Sequence, residues 1–247
     1  MKMLVCVSKT PETTTKIKLA GDGSDLDMAG VKYIMNPYDE WYALVRALEL
    51  KEASGSGSVT LLNVGSADND SVIRKGLAVG ADDAIRVNAE GQGSLFIAKQ
   101  IAAVAKDGGY DVLFFGKETI DYNGSEVGAM VAELLDIAYV SEASHMEMNG
   151  STATITRDIE GGVEIVEVEA PFAISSAKGL AEQRIPNMRG IMMAKRKPLK
   201  VVEPVAAEVA TKVTHYDLPA EKSAVKLIEP DNMDELVRLL HEEAKVI

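Results

Sequence analysis

The residues best placed to do chemistry lie in Phe115-Gly116-Lys117-Glu118-Thr119-Ile120-Asp121-Tyr122-Asn123-Gly124-Ser125-Glu126-Val127-Gly128, which leaves an apolar strand and leads into a helix. A helix amino terminus offers backbone N–H groups without intrahelical acceptors and a partial positive charge, and the carboxyl end of a parallel strand opens onto a crevice. The group that such a place holds is phosphate. Asn123, Gly124, Ser125 and Glu126 cluster at this terminus. The competing reading is that Asn123 or Ser125 caps the helix and Gly124 serves the turn. The stretch is neither a P-loop nor a GxGxxG loop, because the glycine spacing and the Lys-Ser/Thr pair are absent.

A second candidate is Met35-Asn36-Pro37-Tyr38-Asp39-Glu40, directly before a helix. Asn36 is suited to capping or to holding a ligand, and Pro37 at a first helical position is ordinary capping chemistry. The third is Leu62-Asn63-Val64-Gly65-Ser66, where Gly65 would let the backbone approach a planar ligand. All three segments fall at the carboxyl ends of expected strands of one sheet, so a nucleotide site shared among them is the coherent reading.

No arrangement of residues suggests covalent or acid–base catalysis. The three histidines, His145, His215 and His241, fall away from these strand ends and are too few and scattered for a metal site. The methionines from Met188 to Met193 interleave with Arg189, Gly190 and Ile191, which suits an adaptable contact surface better than a soft-metal site. Lys195-Arg196-Lys197 is a short basic cluster in an acidic chain and points to an acidic protein patch. Cys6, the one cysteine, precludes an intrachain disulfide and reads as a small buried hydrophobe in a reducing compartment.

The elements that must position these residues follow from periodicity. Met3–Val7, Val59–Asn63, Ala84–Val87 and Asp111–Phe115 are continuous apolar runs, the pattern of parallel strands covered on both faces. Helix faces are marked by Trp41, Leu44, Val45 and Leu48, by Leu95, Ala98, Ala102 and Ala105, and by Val127, Met130, Val131, Leu134 and Leu135. After Ile137 the grammar changes: Thr152–Arg157 and Val163–Glu169 alternate around Glu160-Gly161-Gly162, a hairpin signal, and apolar residues recur in Pro171–Ser175. Ala177–Lys197 reads as an exposed excursion, and a proline-punctuated tail ends in a helix over Asp231–Ala244, capped by Asp231 or Asn232, with Met233, Leu236, Val237 and Leu240 on one face.

The expected fold is therefore α/β, a mostly parallel sheet with helices on both faces, an antiparallel strand extension and a C-terminal tail with a terminal helix. Its expected division is a nucleotide-binding domain over residues 1–198, with the excursion at 177–197, and an arm over 199–247 that packs on a partner or on its own body. The composition agrees: 247 residues, 47% hydrophobic, with 26 Lys and Arg against 38 Asp and Glu for a net charge of −12, which disfavours nucleic acid. Apolar runs are too short for a membrane span, and the amino terminus lacks a secretory pattern, so a cytoplasmic or matrix-like location is expected.

Several motifs in order carry a family resemblance: the opening strand, Asn36-Pro37-Tyr38-Asp39-Glu40, Ala78-Val79-Gly80-Ala81-Asp82, Gly116-Lys117 with Ile120-Asp121, and Arg184-Ile185-Pro186-Asn187-Met188-Arg189-Gly190-Ile191-Met192-Met193-Ala194-Lys195. Along essentially its whole length the chain resembles the β subunit of electron-transfer flavoprotein. The resemblance implies a Rossmann-like adenine-nucleotide-binding domain paired with an α subunit that holds the redox-active FAD, with AMP as a structural ligand here. It places the nucleotide against Cys6, Asn36, Pro37, Tyr38, Asp39, Val64, Lys117, Thr119, Ile120, Asp121 and Asn123 to Gly128, with phosphate on the backbone of Asn123 to Val127. It makes Gln183, Arg184, Ile185, Pro186, Asn187, Met188, Arg189, Gly190, Ile191 and Met192 a docking segment for acyl-CoA-type dehydrogenases, with Met188 where the family commonly has a leucine. The chain departs from the family's common form in the first loop, Ser8-Lys9-Thr10-Pro11, and in Tyr122-Asn123-Gly124-Ser125-Glu126-Val127.

The expected role is an electron carrier that is not catalytic alone, since the electron chemistry belongs to the flavin. Competing expectations are a bifurcating subunit with its own FAD, an ATP-using enzyme of the same fold, and a nucleotide-sensing module that acts by dimerisation.

Overall fold

The computed structural model describes residues 1–90, 92–222 and 224–247. The chain forms two units, one of residues 1–17 with 28–214 and one of residues 18–27 with 215–247. The first unit runs β1 (Lys2–Cys6), β2 (Lys9–Pro11), β3 (Tyr33–Met35), α1 (Asp39–Ser54), β4 (Ser58–Val64), α2 (Asp70–Val79), β5 (Asp83–Val87), α3 (Ser94–Lys106), β6 (Val112–Gly116), α4 (Val127–Leu135), β7 (Ala138–Asn149), β8 (Thr152–Ile159), β9 (Gly162–Glu169), β10 (Phe172–Ser176), α5 (Met188–Ala194) and β11 (Leu199–Val202).

The strands form one nine-stranded sheet in the order β11-β5-β4-β1-β6-β10-β7-β8-β9, and β2 pairs with β3 apart from it. The pairs from β11 through β7 are parallel, and β7-β8 and β8-β9 are antiparallel. The four apolar runs are β1, β4, β5 and β6, and the central strands alternate their side chains between two apolar layers. Met3, Val5, Val59, Leu61, Val112 and Phe114 pack with Leu44, Leu48, Ile73 and Leu77 of α1 and α2. Leu4, Cys6, Leu62, Leu113 and Phe115 pack with Ala98, Ile101, Ala102 and Val131 of α3 and α4. Both faces of the central sheet are thus dry, which is why its strands carry no polar alternation.

Some elements differ from the sequence expectation. Helix α2 is additional to the three helices that the periodicity marks. A short 3-10 turn at Ala67–Asn69 feeds it, and its face of Val72, Ile73 and Leu77 is fully buried. Leu134 is exposed at 45%, so the inward face of α4 is narrower than its apolar residues suggest. The excursion is not structureless: Ala177, Leu180 and Ala194 are buried and α5 lies within it. Strand β11 pairs with β5, so the sheet takes its edge strand from residues expected in the arm.

In the second unit Leu19 bridges to Leu26, and the Tyr216 N–H donates to the Gly23 carbonyl at 2.9 Å. Its helix α6 (Met233–Arg238) continues as a π-type turn over Leu239–Ala244, and no residue of either is buried. Asn232 precedes α6 but makes no side-chain cap. The turn is held instead by Arg238, which donates to Glu235 and Glu242 at 2.7 and 2.9 Å.

Candidate functional site

The order of connections reverses at β1. After β1 the chain moves outward through β4 and β5, and α3 then returns it to the other side of β1, where β6 lies. A crevice opens at the carboxyl ends of strands flanking such a reversal. The loops after β1, β4 and β6 enclose a cavity of about 530 Å³, a size typical of small-ligand sites.

Of the residues singled out in the sequence, Cys6, Val64, Lys117, Thr119 and Asp121 line this cavity. So do Gly124, Ser125, Glu126, Val127 and Gly128. Asn36, Pro37, Tyr38, Asp39, Ile120 and Asn123 do not form its wall. Asn36 is fully buried, and its side chain is spent on the chain itself: Nδ2 donates to the Glu118 carbonyl at 2.9 Å and Oδ1 accepts from the Ile120 N–H at 3.1 Å. Asn36 therefore sets the height of the loop after β6. Pro37 precedes the N-cap residue, Tyr38, so it stands outside the helix and not at its first position. Tyr38 is 55% exposed and has a left-handed φ of 64°.

The loop into α4 is shaped by two non-glycine residues in left-handed backbone, a conformation that Asn takes readily and Ser does not. Asn123 and Ser125 have φ of 50° and 52°, whereas Gly124 is outside that region. Neither Asn123 nor Ser125 caps α4: the N-cap is Glu126, and its side chain makes no capping hydrogen bond. The first N–H groups of α4 thus keep the donor capacity that helix geometry leaves them, and the terminus faces the cavity through Glu126, Val127 and Gly128. Gly128 also serves packing, since a Cβ there would come within 3.0 Å of the Tyr139 ring.

The loop after β4 is a closed polar knot. Asn69 Nδ2 donates to Asn63 Oδ1 at 2.9 Å, and Asn63 Nδ2 donates to the Val7 carbonyl at 2.8 Å. A Cβ on Gly65 would lie 1.9 Å from Asn69 Nδ2, so the glycine makes room for that amide, and its backbone also lines the cavity. Flat apolar walls come from Val64, Phe115, Ile97 and Ile101, the last two from α3 and not anticipated from the sequence.

Charge on the wall is mixed. Lys9 and Lys117 line the cavity beside Asp68, Glu90, Glu118, Asp121 and Glu126. Lys9 Nζ lies 4.4 Å from the centre of the Tyr33 ring, and Lys117 Nζ is 3.6 Å from Glu118. Glu40, which carried no role in the sequence beyond its motif, is buried in the wall, and its Oε2 accepts the Ser8 N–H at 2.6 Å. Burial, opposed by the Ser8 hydrogen bond and reinforced by Asp121 and Asp39, pushes its carboxyl up to about 8. Burial likewise raises the Cys6 thiol, with Glu40 adding to it, so Cys6 is a neutral wall residue and not a nucleophile.

Among the described residues no group of three or more His, Cys, Asp or Glu side chains could hold a metal ion, and no helix is long and apolar enough to cross a membrane. His145 and His215 pair with Glu147 and Asp217 on exposed surface, and neither lines the cavity. The cavity contains uncapped helix N–H groups, two lysines, several carboxylates and apolar walls. Helix N–H groups and lysines are donors that suit an anionic group, and apolar walls suit a flat one.

Residues Gln183 to Met192 form none of this cavity. They precede and enter α5, whose N-cap Asn187 accepts the Gly190 N–H at 2.8 Å. Ile185, Met188 and Met192 project outward at 88%, 74% and 68% exposure.

Comparison with known proteins gives a consistent result. The family model of the electron transfer flavoprotein domain matches residues 25–207. The chain is 34% identical to the electron transfer flavoprotein subunit beta of Bacillus subtilis and 36% identical to that of Bradyrhizobium diazoefficiens, each over the full length of both chains. It is 31% identical to the subunit beta of Mus musculus over all of this chain and 99% of the relative.

Proposed function

The chain belongs to the electron transfer flavoprotein family, as a relative of its β subunits, and from that premise we propose that it is the β subunit of a heterodimeric electron carrier. In this reading an α subunit holds the redox-active FAD, this chain holds AMP as a structural ligand, and the pair takes electrons from acyl-CoA-type dehydrogenases to a downstream acceptor. The FAD supplies the electron chemistry. This chain binds, orients and docks, and does not catalyse alone.

One observation carries the nucleotide assignment: the uncapped amino terminus of α4 opens into a cavity at the carboxyl ends of β1, β4 and β6. The phosphate would lie on the N–H groups from Gly124 to Val127, since the Asn123 N–H of the expected set is taken by the Thr119 carbonyl at 2.9 Å, with Lys117 nearby and Cys6, Val64, Thr119 and Asp121 around the rest of the molecule. Asn36 would act by fixing the loop from Glu118 to Ile120, with Asp39 accepting from the Glu118 backbone, while Pro37 and Tyr38 only join the two. Burial that keeps Glu40 largely neutral near pH 7 removes one negative charge from a wall that must accept an anion. The docking role rests on Gln183 to Met192, where exposed Ile185, Met188 and Met192 stand beside Arg189, Lys195 and Arg196. Of the arm expected over 199–247, residues 199–202 join the sheet, and the part over 215–247 would pack on the α subunit.

The test is reconstitution. The chain is combined with its α subunit and mixed anaerobically with an acyl-CoA dehydrogenase reduced by its substrate, and the carrier flavin is followed by absorbance. Flavin reduction that requires this chain is the expected result. Failure to associate with an α subunit, or flavin reduction at the same rate without this chain, would overturn the reading.

A further inference from the structure

The segment from Arg184 to Lys197 is fastened at both ends to helices α1 and α2. At its start the Arg184 guanidinium donates to both carboxylate oxygens of Glu52, at 2.7 and 2.9 Å, and Trp41 Nε1 donates to the Arg184 carbonyl at 3.0 Å. At its end Arg74 donates to the carbonyls of Ala194 and Lys197 at 2.7 and 2.6 Å. Lys197 Nζ closes the join by donating to the carbonyls of Leu77, Gly80 and Ala81. Between the ends, α5 sits so close to α2 that a Cβ on Gly190 would lie 2.4 Å from the Ala78 carbonyl oxygen.

The backbone is held while the side chains that would gain most from burial are turned outward. Ile185 and Met188 are 88% and 74% exposed. Apolar side chains on a loose loop would collapse against the body of the protein. Here the fastening keeps them out, and a binding partner need not supply the ordering free energy of the segment.

We propose that Trp41, Glu52 and Arg74 are positioning residues that hold Arg184–Lys197 as a pre-formed docking element for a protein surface with an apolar pocket and an acidic rim. The acidic rim follows from charge: exposed Arg189, Lys195 and Arg196 share the segment's sequence with the projecting side chains in a chain whose net charge is −12. The inference rests on the proposed docking role and adds that affinity depends on residues of α1 and α2 that lie outside the docking segment. Trp41 is the one tryptophan of the chain, so its emission reports the state of this fastening directly.

The experiment uses the full chain in complex with its α subunit, as wild type, Glu52→Gln and Trp41→Phe. Amide exchange over residues 185–197 is expected to be slow in the wild type and to accelerate roughly tenfold in each variant, as expected for loss of one hydrogen-bonded anchor. Exchange over residues 117–128 should stay unchanged. In Glu52→Gln the Trp41 emission should shift to the red. With a purified acyl-CoA dehydrogenase as donor, both variants should raise the apparent KM for the carrier about three- to tenfold, at unchanged kcat. Unchanged exchange in both variants with unchanged Trp41 emission in Glu52→Gln, or fast exchange in the wild type, would overturn the fastening. Faster exchange with an unmoved KM would overturn the positioning role. A wild-type carrier that couples to no dehydrogenase, while exchange still responds to the variants, would reject the docking role and leave the fastening supported.

Discussion

At the scale of single residues, Glu40 shows how burial changes what a side chain can do. An acidic residue in a first helical turn is ordinarily a solvated partner for the helix dipole. In α1, however, Glu40 is only 4% exposed and receives the Ser8 N–H, and its folded-state carboxyl titrates near 8 against an ordinary value of 4.5. A raised folded pKa means that the native state binds the proton more tightly than the unfolded chain. The stabilising contribution is therefore complete below about pH 4.5 and is lost as pH rises through about 8. In the nucleotide-free chain we expect stability from urea midpoints to fall across that window by up to about 1.4 kcal/mol per pH unit from this group. Glu40→Gln, which mimics the neutral acid, should flatten the slope. Equal slopes for the two proteins would show that Glu40 is ionised when folded.

At the scale of elements, α1 approaches the end of β6 because Gly116 lets it. A Cβ on Gly116 would lie 2.8 Å from Glu40 Cγ, 3.1 Å from the Glu40 backbone nitrogen and 3.2 Å from Asp39 Cβ. Backbone cannot yield as a side chain can, so Gly116→Ala should displace the start of α1 and destabilise the chain by about 1–3 kcal/mol. It should also weaken AMP binding, because Glu40 and Gly116 share the cavity wall. Calorimetric titration of AMP and thermal melts check both effects. Wild-type values in both would contradict the close approach.

The same elements show what the sequence makes legible. Strands β1, β4, β5 and β6 are readable because a strand buried on both faces must be apolar without interruption. Helix α2 is short, Asp70–Val79, but its apolar stripe of Val72, Ile73 and Leu77 recurs at helical spacing, so it is legible and is passed over only for its length. A Cβ on Gly76 would lie 2.6 Å from Leu61 Cδ1, so the glycine in that stripe is there for the close packing of α2 on β4. Strand β7 is obscured by irregular pairing on both sides and by Glu142 with φ of 53°. Within the site, the loop from Lys117 to Gly128 is legible because it joins strand to helix. The separation of wall residues from bracing residues is not, because Asn36 is equally suited to a ligand and to the backbone of Glu118 and Ile120. Only the fold decides which it meets.

At the scale of the whole molecule, the two units differ in what holds them. The first has apolar layers on both faces of the central strands of a nine-stranded sheet. In the second, no residue of α6 or of the following turn is buried, and Met233 and Val237 are 46% and 54% exposed. Deletion of residues 215–247 should therefore move the thermal midpoint of the first unit by less than about 4 °C, equivalent to about 1 kcal/mol for a unit of this size. The same deletion should sharply weaken co-purification with the α subunit. Loss of the cooperative melt would instead show that the arm is part of the first unit's core, and undiminished co-purification would remove its proposed partner.

In the proposed carrier this chain supplies a structural AMP site while the working flavin sits with its partner. The most direct measurement is to co-express the two subunits, purify and denature the complex, and count the released nucleotides by chromatography and mass spectrometry. One FAD and one AMP per heterodimer is the predicted result. Two FAD and no AMP would contradict it and make this cavity a second flavin site.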